Sequence, residues 1–219
     1  MEKKIRKKRA QIVIDELKEL FPEEPETALN YDNEWQLLVA VILSARTTDK
    51  KVNEVIDNLF AKYPDREDYL DLKQEELAEE INSIGLYNSK AGYILDTAKT
   101  IEEDFNGKIP KNIEDLQELS GVGRKTANVV LSEAFEKHEG IAVDTHVQRL
   151  SQKFGLTDKE KPEKIEQDLI EILPEKEWGN ITLRMIEYGR EYSPARKVEE
   201  TDDPISQKLL EENLYPETS

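Results

Sequence analysis

Apolar residues recur at three- and four-residue spacing along almost the whole chain, and nowhere do they alternate for long. Such a chain can bury its apolar surface only as packed helices. Val13, Leu17, Leu20 and Phe21 form one stripe after a basic start, and Pro22 and Pro25 break it. Residues 35–45 are apolar on nearly all sides, which predicts a central buried helix. Val52, Val55, Ile56, Leu59 and Phe60 mark the next helix, ended near Pro64. Leu77 and Ile81 mark a short one stopped by Gly85; Ala91, Ile94, Leu95, Ala98 and Ile101 mark another, stopped by Gly107 and Pro110. The same periodicity predicts helices over 113–119, 124–135, 146–154, 162–173 and 178–188, and leaves 140–143 as the one short strand candidate. The expected fold is all-α with short connections. The segment 196–219 is acidic, contains Pro204 and Pro216, and has only Ile205, Leu209, Leu210 and Leu214 to anchor it, so it is expected to be the loosest part.

Composition narrows the chemistry. The 219 residues include no cysteine and only two histidines, His138 and His146. This removes disulfides, thiol nucleophiles, thiolate zinc sites and cysteine-held iron–sulfur clusters together, and disfavours a histidine metal centre. Catalysis must rest on Lys, Asp, Glu, Tyr or Ser. No stretch approaches the ~20 apolar residues of a membrane span, and the basic N-terminus lacks the apolar core of a secretory signal. A cytoplasmic protein is expected. The net charge of −17, from 31 basic and 48 acidic residues, argues against general attraction to nucleic acid. Net charge governs long-range fields, however, and a local cationic face can sit on an acidic body.

The most informative segment is Leu119-Ser120-Gly121-Val122-Gly123-Arg124-Lys125-Thr126-Ala127. One helix ends, two glycines flank an apolar residue, and a second helix begins. Backbone N–H groups in such a turn, beside a helix N-terminus, form an anion site. Gly121, Val122, Gly123, Arg124 and Thr126 are expected to grip a nucleic-acid backbone without reading sequence, Val122 also pinning the turn to the core. A lone Gly-x-Gly would fit an ordinary helix–helix turn with a glycine cap equally well; the whole string favours phosphate. Lys125 falls in the first turn of the second helix, where the helix dipole opposes a cation, and partial burial would also favour the neutral, nucleophilic amine. Its other reading is a simple phosphate or solvent contact. Asp144, in Val143-Asp144-Thr145-His146, is of the preferred N-cap type for the helix that follows. A second carboxylate oxygen left free by capping could also steady positive charge on a sugar.

With these segments in place the sequence resembles the endonuclease III family of DNA glycosylases, within the helix-hairpin-helix–Gly/Pro–Asp superfamily. Leu43-Ser44-Ala45-Arg46-Thr47-Thr48-Asp49 resembles the family's first signature and Ile84-Gly85-Leu86-Tyr87-Asn88-Ser89-Lys90-Ala91 its second. Gly107-Lys108-Ile109-Pro110, the hairpin, Ile141-Ala142-Val143-Asp144-Thr145-His146 and Tyr188-Gly189-Arg190 follow in family order. The resemblance implies two helical domains with the active-site cleft between them. One is a six-helix barrel carrying the hairpin over 26–137; the other joins 1–25 to 138–219. It implies that Lys125 attacks C1′ of a damaged pyrimidine nucleotide, that Asp144 assists, and that β-elimination then cuts the strand on the 3′ side. The target nucleotide leaves the stack. The implied partner is double-stranded DNA containing damaged pyrimidines or abasic sites, bound by a monomer associated with the nucleoid, with no membrane. Leu86 would belong to a wedge entering the duplex; packing on its own domain is the other reading. Arg46 stands where the family commonly has glutamine filling the vacated space, and Ser120 replaces the usual proline of the hairpin. Thr47, Thr48 and Asp49 are expected to cap and orient the next helix.

The family often holds a four-iron cluster on cysteines spaced x6, x2 and x5. The matching positions here read Ser193, Glu200, Asp203 and Leu209, so no cluster, no metal and no other cofactor are expected. The tail would be held by Pro204, Ile205, Leu209 and Leu210, with Glu200, Asp202 and Asp203 read as solvated acids rather than metal ligands. DNA contacts are expected around Arg46, Lys50, Lys90, Arg124 and Arg196. A non-catalytic DNA-binding module, a monofunctional glycosylase of the same superfamily, or an AP lyase with weak base excision remain as alternatives. Lys125 after Gly-Val-Gly-Arg favours the bifunctional class.

Overall fold

The computed structural model describes residues 2–23 and 27–216. The described residues are helical with no strand, and the chain forms two compact units: Thr27–Glu139, and Met1–Glu26 together with Gly140–Ser219. No described helix is long and apolar enough to cross a membrane.

The continuous unit contains α2 (Glu34–Ser44), α3 (Asp49–Lys62), α4 (Gln74–Glu80), α5 (Tyr87–Asp104), α6 (Ile113–Leu116) and α7 (Arg124–Phe135). Its centre is α2, whose residues from Trp35 to Leu43 are all buried. The helix is apolar all round because α3, α5 and α7 enclose it. Each buried Leu, Ile or Val contributes about 1.5–3 kcal/mol of transfer free energy. Starts are set locally. Asn33 Oδ1 accepts from Gln36 N at 2.9 Å before α2, Thr48 Oγ1 from Lys51 N at 3.4 Å before α3, and Asn112 Oδ1 from Asp115 N at 2.8 Å before α6. The capping expected of Thr48 is therefore seen.

The second unit contains α1 (Glu2–Leu20), α8 (Thr145–Lys153), α9 (Pro162–Ile172), α10 (Trp178–Glu191) and α11 (Pro204–Glu211). Ala10, Val13, Ile14 and Leu17 make one buried stripe on α1, which packs against α9, α10 and α11. Two expectations fail here. Residues 140–143 are not a strand: with no partner strand, their backbone groups pair with helix side chains, Ile141 N donating to Glu166 Oε1 at 3.2 Å and Ala142 O accepting from Thr182 Oγ1 at 2.8 Å. The tail is not loose between 203 and 209 either. Asp203 caps α11, Pro204 occupies its first turn, and Ile205, Ser206 and Leu209 are fully buried. Leu210, expected as an anchor, is 44% exposed instead. The last part of that tail, 217–219, and the break expected at Pro25 lie outside the described residues.

Candidate active site

The hairpin is built around two buried residues. Leu119 and Val122 enter the core of the continuous unit, with Val122 N donating to Leu119 O at 3.1 Å. Gly121 between them has φ +77°, and a β-carbon there would lie 3.0 Å from the Tyr93 ring. Only glycine meets both conditions without strain. Gly123 is the N-cap of α7 and has no side chain to accept from the first-turn N–H groups, so the helix presents them with their partial positive charge. Thr97 Oγ1 donates to Ser120 O at 2.9 Å, which fixes the turn where proline is missing. Arg124 and Thr126 are half-buried. Lys125, second residue of α7, is exposed. The partial burial expected for it is absent, because the first turn of α7 projects beyond the core that receives Val122 and Ala127.

One face of α5 organises the remaining candidates of this unit. Leu86 is its N-cap, with φ +61° and 61% exposure, so it does not pack on its own domain. One turn later Lys90 is 3% exposed, and its Nζ donates to Leu43 O and Ala45 O at 2.8 Å and to Thr47 Oγ1 at 3.1 Å. All three of its protons are used. The expected phosphate contact by Lys90 is therefore corrected: its ammonium closes the C-terminus of α2 and pins the loop that follows. Burial pushes that ammonium's pKa below the ordinary lysine value. Arg46 sits on the pinned loop, exposed, with φ +57°. Next along α5, Tyr93 lies under Gly121 and Thr97 holds Ser120. Residues 86, 90, 93 and 97 thus connect the exposed Leu86, the Arg46 loop and the hairpin. Tyr93 and Thr97 escaped the sequence reading, although their helical spacing from Leu86 and Lys90 was the available signal.

In the other unit the extended segment 141–143 delivers Asp144 to the N-terminus of α8. Asp144 Oδ1 accepts from His146 N at 2.9 Å and Val147 N at 2.8 Å. Both capping bonds converge on this one oxygen, and Oδ2 has no hydrogen-bond partner among the described residues. His146 lies against Gly189 of α10, where a β-carbon would overlap Nδ1. Burial pushes the His146 imidazole below its ordinary pKa; Asp144 opposes this, while Arg149 and Arg190 reinforce it. Arg196 is exposed in a single 3-10 turn, Ala195–Lys197, whose Lys197 pairs with Glu200 at 2.8 Å and Asp202 at 3.2 Å.

The positions matching the cluster cysteines do not fit a four-iron cluster. Ser193, the Glu200 carbonyl and Asp203 all bond Lys153 Nζ, and Leu209 is an apolar core residue. Asp203 is thus buried and paired rather than solvated. Among the described residues no group of three His, Asp or Glu is placed to hold a metal ion.

Comparison with known proteins gives consistent results. Residues 39–175 match the model of the HhH-GPD superfamily base excision DNA repair protein. The chain is 43% identical over 192 residues to an endonuclease III of Synechocystis sp., covering 88% of this chain and 87% of that one. It is 41% identical over 199 residues to an endonuclease III of Bacillus subtilis, covering 90% of each. Among solved structures it is similar to a trapped endonuclease III–DNA covalent intermediate, with TM-score 0.85 and 37% identity over 93% of this chain and 98% of that one.

Proposed function

The chain belongs to the endonuclease III family of the HhH-GPD superfamily, and from that premise we propose that it is a bifunctional DNA glycosylase and AP lyase of base excision repair, acting on oxidised pyrimidines. The observation that carries this reading is the start of α7: a glycine-capped helix offering its first-turn amides to phosphate, with the exposed Lys125 amine in the same turn. Gly121, Gly123, Arg124 and Thr126 bind the backbone next to the damaged nucleotide. Lys125 Nζ forms a bond to C1′ while the glycosidic bond breaks, the nitrogen giving up a proton and the base departing protonated. Opening of the C1′–O4′ bond, with O4′ taking up a proton as the nitrogen gives one up, turns the C1′ adduct into an imine that acidifies the C2′ proton; loss of that proton expels the 3′ phosphate by β-elimination, and water then releases the sugar from Lys125.

Asp144 Oδ2, the oxygen not used in capping, stabilises the positive charge that develops on the sugar. Its backbone amide partners hold the carboxylate in place throughout. Leu86 fills the stack left by the everted nucleotide, and Arg46 faces the orphaned base, donating to it in place of the family's glutamine. Arg196 adds a backbone contact. The enzyme works as a monomer in the nucleoid and needs no cofactor.

Incubation with a duplex containing thymine glycol or an abasic site, followed by borohydride, tests the proposal. The parent protein is expected to yield a covalent adduct, and Lys125→Ala none. Asp144→Asn is expected to bind the duplex within about threefold of the parent while base release slows by roughly 10²–10⁴. An active preparation that incises DNA yet forms no adduct would exclude the lysine imine. Binding without incision would make the chain a DNA-binding module.

A further inference from the structure

Three of the four positions that would carry cluster cysteines in this family instead clasp a lysine. Lys153, near the end of α8, has a side chain only 2% exposed. Its ammonium donates to Ser193 Oγ at 2.9 Å and Glu200 O at 2.7 Å, and it lies 2.8 Å from Asp203 Oδ2. An ammonium has three protons, and here each has an acceptor. Those acceptors come from three of the four cluster positions. The network does not stop there. Asp203 also accepts from the Tyr188 hydroxyl, from Ser206 N at 3.0 Å and from Ser206 Oγ at 2.7 Å. The Tyr188 oxygen in turn accepts from Ile205 N at 3.0 Å. The fourth position, Leu209, is fully buried in the apolar core below.

The segment between these anchors is the one that carries Arg196. It leaves Ser193, makes the Ala195–Lys197 turn, and returns at Glu200, so both of its ends are tied to Lys153 Nζ. Lys197 is tied back to Glu200 and Asp202, which holds the turn from within. Among the described residues Arg196 has no ion-pair partner. A closed loop with one unpaired guanidinium outward is a point of attachment for an anion, and the proposed substrate is a polyanion.

We propose that Lys153 is a positioning residue for DNA binding: its buried ammonium, clasped by Ser193, Glu200 and Asp203, closes the segment where the family often holds an iron–sulfur cluster and keeps the Arg196 turn in its binding geometry. The inference rests on the DNA-repair reading above. It makes the chain independent of iron and sulfide, since one side chain synthesised with the protein closes the loop.

The experiment measures the affinity of the full chain for a duplex bearing a non-cleavable abasic analogue, and separately the single-turnover incision rate at saturating duplex. Lys153→Met alone strands the Asp203 carboxylate, so the informative variant is Lys153→Met with Asp203→Asn, which strands no charge and keeps a capping side chain on α11. Affinity is expected to fall about tenfold with saturated incision within about twofold of the parent, because the loop binds and does not react. Arg196→Ala should cost a similar factor, and adding it to the double variant should cost little more. A general loss of structure would instead slow saturated incision and add to Arg196→Ala independently. Ser193→Ala, which removes one acceptor without changing packing, is expected to show the same coupling at about threefold and decides the matter should the double variant not fold. Unchanged affinity in a folded variant, additive losses, or iron and sulfide in the purified parent would each overturn the proposal. Failure of the parent to bind or incise the duplex would instead refute the repair function itself.

Discussion

Two residues proposed to meet the damaged site, Arg46 and Leu86, hold left-handed backbone conformations with φ +57° and +61°. A side chain in that region costs about 1–2 kcal/mol, and glycine would avoid most of it. Both side chains are exposed and neither stabilises a core, so no packing within the protein offsets the strain, as expected of positions that act on a ligand. Leu86→Ala tests this division. Folding stability should change by no more than about 0.5 kcal/mol, as for other exposed positions. Incision of a lesion duplex should fall about tenfold or more, since holding a nucleotide out of the stack costs a few kcal/mol that the wedge no longer offsets. A large fall in melting temperature with normal incision would make Leu86 a packing residue.

At the scale of elements, α5 organises more of its unit's candidate residues than the hairpin does. Its N-cap is Leu86, the proposed wedge, Lys90 pins the Arg46 loop, and Tyr93 and Thr97 support the Gly121 turn. The order follows from helical geometry, because 86, 90, 93 and 97 fall on one face. Lys90→Met separates this role from a phosphate contact. It leaves Leu43 O, Ala45 O and Thr47 Oγ1 without their donor, so stability in urea should drop by about 2–4 kcal/mol. Amide exchange at 44–48 should accelerate. A direct phosphate contact would leave stability unchanged and instead lower the salt slope of DNA binding by about one. In the sequence Lys90 looks like any surface lysine of a basic signature. Its burial follows from the close approach of α2 to α5, which no local pattern records.

Over the whole molecule, two separate cores share one chain, Lys125 belonging to one unit and Asp144 to the other. In the unit with Asp144, acid acts through His146. His146 is held below its ordinary pKa of 6.5 by burial and by Arg149 and Arg190, against Asp144. Its neutral form is therefore favoured by folding. That contribution is complete above pH 6.5 and is lost as pH falls through the lower folded value, because the unfolded chain takes up the proton first. Urea midpoints for this unit should decline from pH 6.5 downward, and His146→Gln should flatten the upper part of that decline. A midpoint independent of pH between 7 and 5 in the parent would contradict it.

The sequence by itself determined the helical class, the helix starts at Thr48 and Asp144, the hairpin string and the lack of thiolates, because periodicity, capping and composition are properties of neighbours in the chain. It did not reveal the helix at Pro204–Glu211, although Asp203 followed by Pro204 is a start signal, since three apolar anchors within one short stretch of an acidic tail are too few to show a face. Nor did it reveal that Lys125 is exposed while Lys90 and Lys153 are buried. Three lysines with the same intrinsic chemistry differ only in what distant segments bring to them. Acceptors from residues 43–47 enclose the first buried ammonium and acceptors from residues 193–203 the second. Burying a charge is tolerated only where such partners converge, and convergence across tens of residues is fixed by tertiary packing alone.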